Sequence, residues 1–520
     1  MRERSRTEYS IINIFTGLFG YGLNTIVGFG CRIIFVRTLS ADYLGLSGLF
    51  TNILSMFSLA ELGISSAITY ALYKPIVQND TEKIKSLMKF YKKAYEIIGI
   101  FVAIIGIIVL PFLSIIIREP PDIRENLYVI YLIYLFNSVI SYFFSYKSSL
   151  LTAMQRNYIV IGYNYIITIG QSFFQIIFLL LTHKYIIYLL IQMLGGVLYN
   201  LWISHKASKD YPYIDDREVA PLEKEEKKSL FKNVKALAVY KLSGVLVNNT
   251  DNIAITFFNG ISTTGYASNY ILFSMTLDKL ITMIFNALTG SIGNFNASAD
   301  EEKQYEFFKV LNLSNFWLFG WAAIGMNFIS SDLVRLFYGS KYVMGKEIPF
   351  ILAINMYTIG MLHASYTYKS TMGLFKYGQY ILIFTGFLNL FFDIILGRRY
   401  GMIGIYFATL IARLLTNLWY EPYAVYKYGL HKKTIFYFFR SGIFAVVLAV
   451  TGVLCGFLCN LCHFNLIMDI LLKILICSVI HNLVLGICFG RTKEFQYLFD
   501  VGIRLIRRVL GKNENLKLEE

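Results

Sequence analysis

The sequence predicts an all-α polytopic membrane protein of fourteen transmembrane helices: two six-helix lobes forming a parallel pseudo-repeat, then two C-terminal helices. Three observations predict it. Of 520 residues, 56% are hydrophobic and only 16% charged, outside the range of soluble domains. Apolar runs of about 20 residues, the length that crosses the hydrocarbon core, recur along the chain. The stretch SYKSSLLTAMQRNYI around Lys147 returns 222 positions later, around Lys369, as TYKSTMGLFKYGQYI.

The first run, 10–35, follows the basic leader MRERSRTEYS. It is too long for a cleavable signal and has no clear cleavage site, so it reads as a retained first helix. Runs at 44–73, 94–117, 127–146, 157–181 and 185–204 complete the first lobe, 1–204. Segment 205–235, HKASKDYPYIDDREVAPLEKEEKKSLFKNVK, is polar and of mixed charge; it reads as a cytoplasmic linker with a surface helix over 222–235. Runs at 236–258, 266–293, 310–330, 348–366, 378–397 and 402–425 make the second lobe, 236–428, and 434–460 and 464–490 are the last two spans, within 429–490. In the tail, 491–520, the stretch RTKEFQYLFDVGIRLIRRVLGK sets Phe495, Leu498, Phe499, Ile503, Ile506 and Val509 on one helical face and Arg504, Arg507, Arg508 and Lys512 elsewhere. Such a helix would lie in the inner membrane interface, the alternative being a partner-binding helix. Strands are excluded because barrel strands alternate apolar and polar residues over about 10 positions, and that alternation is missing.

The repeat extends beyond the lysines. FFQII at 173–177 matches FFDII at 391–395, LSADY at 39–43 matches ISTTGY at 261–266, and NDTEK after the second span resembles ADEEK after the eighth. An even number of spans per copy lets both copies enter the membrane in the same direction, the architecture of a transporter whose bundles rock about a central cavity. Lys and Arg are strongly enriched in alternate loops starting from the N-terminus, which by the positive-inside rule makes both termini cytoplasmic. The formal charge of +15 is then explained by anchoring to anionic lipid, with no nucleic-acid partner. The six cysteines lie mostly in the last two spans as small apolar residues; CNLCH at 459–463 fits a haem-attachment spacing but ends a hydrophobic span with no domain to enclose a macrocycle.

Charges inside the spans carry the chemistry. Arg32, Lys241, Lys279, Arg413 and Lys473 each cost roughly 2.5 to 3.5 kcal/mol at midplane if they face lipid, so most must pair, snorkel or face water. Arg32, Arg413 and Lys241 are the candidates for a wet cationic cavity, where a guanidinium fork suits phosphate; the alternative for Arg32 is an ion pair with Glu61, itself either that partner or a proton carrier. Lys147 and Lys369 are either snorkelling anchors or a pair of cations at the inward mouth of the cavity. Lys279 beside Asp278, and Lys473 four residues after Asp469, read as paired. Asp251 lies in the seventh span, and Asn389 and Asp393, four apart in the eleventh, share one face where a carbonyl and a carboxylate can hold a small hard cation; Thr409 in the twelfth adds a hydroxyl. A structural hydrogen-bond cluster is the alternative. His363 and His481 read as satisfied interior residues. There is no Walker loop, dinucleotide fingerprint or H-E-x-x-H, and the chain is not expected to be an enzyme or to carry a cofactor.

With these features in place, GFGCRIIFVRTLSADYLGLSGLFTNILSMFSLAELGISSAITYALY and VNNTDNIAITFFNGISTTGYA resemble bacterial polysaccharide flippases of the Wzx type, in the exporter superfamily that also holds the MATE drug exporters and lipid II flippases. The resemblance covers essentially the whole chain. It implies a MATE-like fold in the bacterial cytoplasmic membrane, and a flippase that moves undecaprenyl-pyrophosphate-linked oligosaccharide to the outer leaflet by alternating access. Its partners would be that lipid-linked oligosaccharide, membrane lipids and other glycan-assembly proteins. It also implies a sodium site like that of the lipid II flippases, matched here by Asp251, Asn389, Asp393 and Thr409, with Na+ or H+ as coupling ion. The competing readings are a MATE-like drug/cation antiporter and, from another class, a membrane polysaccharide polymerase or glycosyltransferase, which the short external loops disfavour.

Overall fold

The computed structural model describes residues 6–57, 64–216, 219–228, 230, 249–374, 377, 378 and 380–509. Its elements are helices: α1 (Arg6–Thr38), α2 (Ala41–Phe57), α3 (Ile64–Val77), α4 (Thr81–Val109) running through a 3-10 turn into α5 (Leu113–Ile116), α6 (Leu127–Ala153), α7 (Asn157–Thr182) and α8 (Tyr185–Asp210). The seventh span is described as α9, residues 249–259. It is followed by α10 (Ile261–Ser298), α11 (Glu301–Tyr338), α12 (Glu347–Gly360), α13 (His363–Thr371), α14 (Ile381–Leu415), α15 (Asn417–Tyr428), α16 (Ile435–Cys459), α17 (Leu466–Phe489) and α18 (Lys493–Val509).

These elements fall on the expected runs. Among the described residues, nine helices are long and apolar enough to cross a membrane, which makes this a multi-pass membrane protein. The shortfall against fourteen has local causes. The second span is described as α2 and α3, with residues 58–63 outside the described residues, the seventh is described only from residue 249, the eighth, α10, is bent by 44°, and the ninth, α11, carries Asn312, Asn315, Asn327 and two Trp residues that lower its hydropathy. The eleventh and twelfth share one 48-residue helical stretch, Ile381–Tyr428, in which Gly401 turns the backbone at φ 59°.

Local signals repeat with the copies. Asp80 of NDTEK caps α4 by accepting from the Lys83 amide at 2.9 Å, and Asp300 of ADEEK caps α11 by accepting from the Lys303 amide at 2.9 Å. Each satisfies an orphan donor of a first helical turn.

The chain folds as two compact units: residues 1–268 with 382–405, and residues 269–381 with 406–520. The division does not follow the expected boundaries at 204 and 236. The first unit has a core of tyrosines whose hydroxyls are satisfied internally, as buried phenols require: Tyr131 donates to the Gly106 carbonyl at 3.0 Å, Tyr134 meets Tyr185 at 3.0 Å, and Tyr91 meets Ser149 at 2.9 Å. Part of the linker is strapped to it. Lys85 pairs with Asp216 at 2.8 Å, Lys83 with Glu226, and the Ser86 hydroxyl donates to the Ala220 carbonyl at 2.7 Å. Of the surface helix expected over 222–235, residues 224–228 are helical, and 229 and 231–235 lie outside the described residues.

In the second unit the last two spans are integral to the packing. Phe316 of α11 stacks on Phe444 of α16 at 4.4 Å, with Leu485 and Phe489 of α17 in the same cluster. Trp317 and Trp321 donate to Asn482 and Ser478 of α17, both at 3.0 Å. Cys455, Cys459 and Cys477 are buried in a neighbouring cluster, so Cys459 is enclosed by protein and not presented to a macrocycle. His481 Nε2 meets the Trp317 carbonyl at 3.0 Å, while its buried Nδ1 has no hydrogen-bond partner among the described residues, so the ring is only half satisfied. The tail helix differs from the expectation at its start. Phe495 stacks on Trp317 and Leu498 joins the α11 cluster, so the first turns face protein, while Phe499 is exposed.

Candidate substrate and ion sites

In the first unit, α9 and the N-terminal half of α14 bring together three of the four expected ion ligands. The four-residue spacing puts Asn389 and Asp393 on the buried face of α14, both at 0% exposure, while Phe387 and Phe391 stay exposed. Asn389 Nδ2 donates to Asp393 Oδ2 at 2.8 Å and to Asp251 Oδ1 at 3.2 Å. One amide thus bridges two carboxylates, which would repel each other if both were ionised without a cation or proton between them. Asn389 Oδ1 and Asp393 Oδ1 are buried with no hydrogen-bond partner among the described residues. Buried acceptors left in this way are costly, and two hard oxygens beside a second carboxylate suit a small hard cation. Thr409 is also buried, beyond the Gly401 turn, and belongs to the second unit. Among the described residues no three His, Cys, Asp or Glu side chains are grouped to hold a metal, so the site offers two acids and an amide.

The candidate cations divide. Arg32, half-buried in α1, donates from Nη2 to Ser268 Oγ at 2.7 Å. Arg413 does not match the water-facing guanidinium expected of it: it is 8% exposed, and Nη1 donates to the Asn355 side-chain oxygen at 3.3 Å and to its carbonyl at 3.5 Å. Its position inside the twelfth span was legible, but which way it turns depends on α12. Lys147 and Lys369 are each engaged by an acid. Lys147 meets Asp215 at 2.8 Å and Ser208 at 2.6 Å, and Lys369 meets Glu421 of α15 at 2.7 Å. Burial works to raise the Asp215 carboxyl, but the Lys147 and Ser208 bonds outweigh it and hold the group below its ordinary value. Lys473 pairs with Asp332 of α11 at 2.5 Å, not with Asp469, whose Oδ1 accepts from the Phe464 amide at 2.9 Å. Lys241 and Glu61 lie outside the described residues.

Sequence reading did not anticipate a contact between the repeat motifs themselves. LSADY and ISTTGY were matched as equivalents, yet in the first unit they touch. Asp42 accepts from the Asp122 amide at 2.6 Å and from the Ser262 hydroxyl. A Cβ on Gly45 would lie 2.1 Å from the Ile261 carbonyl oxygen, and one on Gly265 2.2 Å from the Ala41 carbonyl oxygen. The two approaches are reciprocal at a spacing of 220, as at the axis of a twofold repeat. The paired glycines at one spacing were the available signal.

No family model and no curated protein matches the sequence. Solved structures do share its fold. The lipid II flippase MurJ in an inward closed conformation aligns over 93% of this chain and 99% of its own, with a TM-score of 0.67 and 14% identity. An inward-facing multidrug-resistance MATE transporter of the MOP superfamily aligns over 77% and 94%, with a TM-score of 0.57 and 16% identity. The Vibrio cholerae MATE transporter VcmN aligns over 83% and 100%, with a TM-score of 0.52 and 13% identity.

Proposed function

We propose that this chain is a flippase for lipid-linked oligosaccharide. It moves a polyprenyl-pyrophosphate-borne glycan, of the undecaprenyl type used in bacterial polysaccharide assembly, across the cytoplasmic membrane by alternating access, with both termini on the cytoplasmic side. The observation that carries the reading is the fold shared nearly end to end with a lipid II flippase. Arg32 supports it: a half-buried guanidinium within an apolar span, hydrogen-bonded to the Ser268 hydroxyl, supplies what a pyrophosphate head needs, while the polyprenyl chain stays in lipid. The cluster of Asp251, Asn389 and Asp393 supports coupling to a cation gradient, because its unpartnered buried oxygens are of the kind Na+ accepts and its paired acids could equally hold H+.

The test uses the purified protein in vesicles loaded on one leaflet with a polyprenyl-pyrophosphate oligosaccharide, with headgroup exposure read by an impermeant lectin. The wild type equilibrates the leaflets, and Arg32→Ala inserts normally but flips at least about tenfold slower, the loss of one charge-assisted phosphate contact. Wild-type flipping in Arg32→Ala would remove the phosphate role, and no flipping by the wild type would remove the function. The fold shared with MATE transporters favours a second reading, a drug/cation antiporter; in the same vesicles it predicts gradient-driven uptake of cationic dyes.

A further inference from the structure

The tenth span is broken. α12 ends at Gly360 and α13 starts at His363, with Met361 and Leu362 between them. Phe319 of α11 fills the break: a Cβ on Gly360 would lie 2.2 Å from that ring. The Met361 carbonyl accepts from Asn315 Nδ2 of α11 at 3.3 Å, so the interruption is built into the packing.

An imidazole stands at this break. His363 lies parallel to Phe319 at 5.2 Å and to Phe285 of α10 at 6.0 Å. Its Nε2 is 3.3 Å from Thr282 Oγ1 and 3.8 Å from Asp278 Oδ1, both on α10. The side chains of His363 and Asp278 are 20% and 40% exposed, open enough for protons to arrive. On α10, Lys279 follows Asp278 and is exposed. From α11, Phe319 stacks on the ring and Asn315 holds the Met361 carbonyl, and Glu421 of α15 is taken by Lys369.

Opposing influences meet on this ring. A positive charge at the first residue of a helix is disfavoured by the helix dipole, whereas aromatic faces and a carboxylate within about 4 Å favour it. The charge on His363 therefore depends on Asp278. We propose that His363 and Asp278 form a proton-binding pair at the broken tenth span, and that its occupancy ties α13 to α10. With the proton bound, imidazolium and carboxylate hold the two helices together; once the proton returns to water, the Thr282 hydrogen bond and the Phe285 stack link the ring to α10 without that charge pair. The pair stands on its geometry alone, while its use as a second coupling site, separate from Asp251, Asn389 and Asp393, rests on the transport reading above.

The test is a titration of the full chain, labelled at its six histidines and embedded in phosphatidylethanolamine/phosphatidylglycerol nanodiscs, followed by NMR. The resonance missing from His363→Gln is expected to move with pH in the wild type. Its midpoint should fall in Asp278→Asn and return in Asp278→Glu. A midpoint that Asp278→Asn leaves in place overturns the pair, as does an imidazole whose resonance does not move with pH. In flipping vesicles, Asp278→Asn should lose acceleration by a pH gradient and keep its response to a sodium gradient; an intact pH response overturns the coupling role. Wild-type vesicles that flip nothing under any gradient would count against the transport reading, and the titration would still decide whether the pair binds a proton.

Discussion

Replacing Gly265 by Ala tests whether the meeting of α2 and α10 sets the resting conformation of the first unit. The added Cβ would sit 2.2 Å from the Ala41 carbonyl oxygen, whereas such carbon–oxygen contacts settle at about 3.3 Å. The helices must therefore part by about 1 Å, because the obstacle is backbone and cannot rotate aside. Overpacking of this kind costs roughly 1 to 3 kcal/mol, which moves a two-state population by about 5- to 150-fold. Gly45→Ala, facing the Ile261 carbonyl at 2.1 Å, should act by a comparable amount. The assay is the labelling rate of Thr264→Cys by an impermeant maleimide in an otherwise cysteine-free background, since Thr264 is 0% exposed and reacts only when the contact opens. Both alanine variants should label about 5- to 150-fold faster. If both are produced at wild-type level and label at the wild-type rate, the contact does not hold the closed state.

Lys369→Met leaves Glu421 buried without its cation and should destabilise the protein by about 3 to 5 kcal/mol, with most of the loss recovered by also replacing Glu421 with Leu; thermal unfolding in detergent reads both. Asp393→Asn should abolish stabilisation of the wild type by sodium, about 2.7 kcal/mol at a hundredfold excess over Kd; a sodium-dependent Tm that survives the substitution counts against the site. For Glu494, burial works to raise the carboxyl, but the bonds from its own amide and Arg440 and the charge of Lys309 outweigh it, so it lies below its ordinary 4.5. A depressed acid stabilises above its unfolded value and loses that contribution as pH falls through the folded one. The protection of α18 amides, taken relative to the intrinsic exchange rate at each pH, should therefore be high at pH 7, fall below about pH 4.5 as the carboxyl protonates, and in Glu494→Gln be about fivefold lower at neutral pH.

What could be read from sequence was what lies close along the chain. Asp80 and Asp300 announce helix starts because a cap reaches only three residues, and Asn389 and Asp393 share a face because one helical turn separates them. Partners that arrive from another helix could not be read. Lys473 had an acid one turn away, yet Asp469 was turned to the loop amide of Phe464 and the lysine took Asp332 of α11. Arg413 was placed in the right span but turned to Asn355, which is fixed only once α12 packs. His363 looked like an inert interior ring because the break before it is imposed by Phe319 and Asn315 of α11, 44 and 48 positions away in sequence.

The strap that follows α8 has a further consequence. Two equivalent lysines, inherited from one repeating unit, draw their counter-charges from different places: Lys369 from within a helix of its own bundle, Lys147 from the thread that joins the copies. Whatever grips, cleaves or modifies that thread reaches the electrostatics of one copy and spares the other. A machine doubled from a single plan thereby has a handle on one half only.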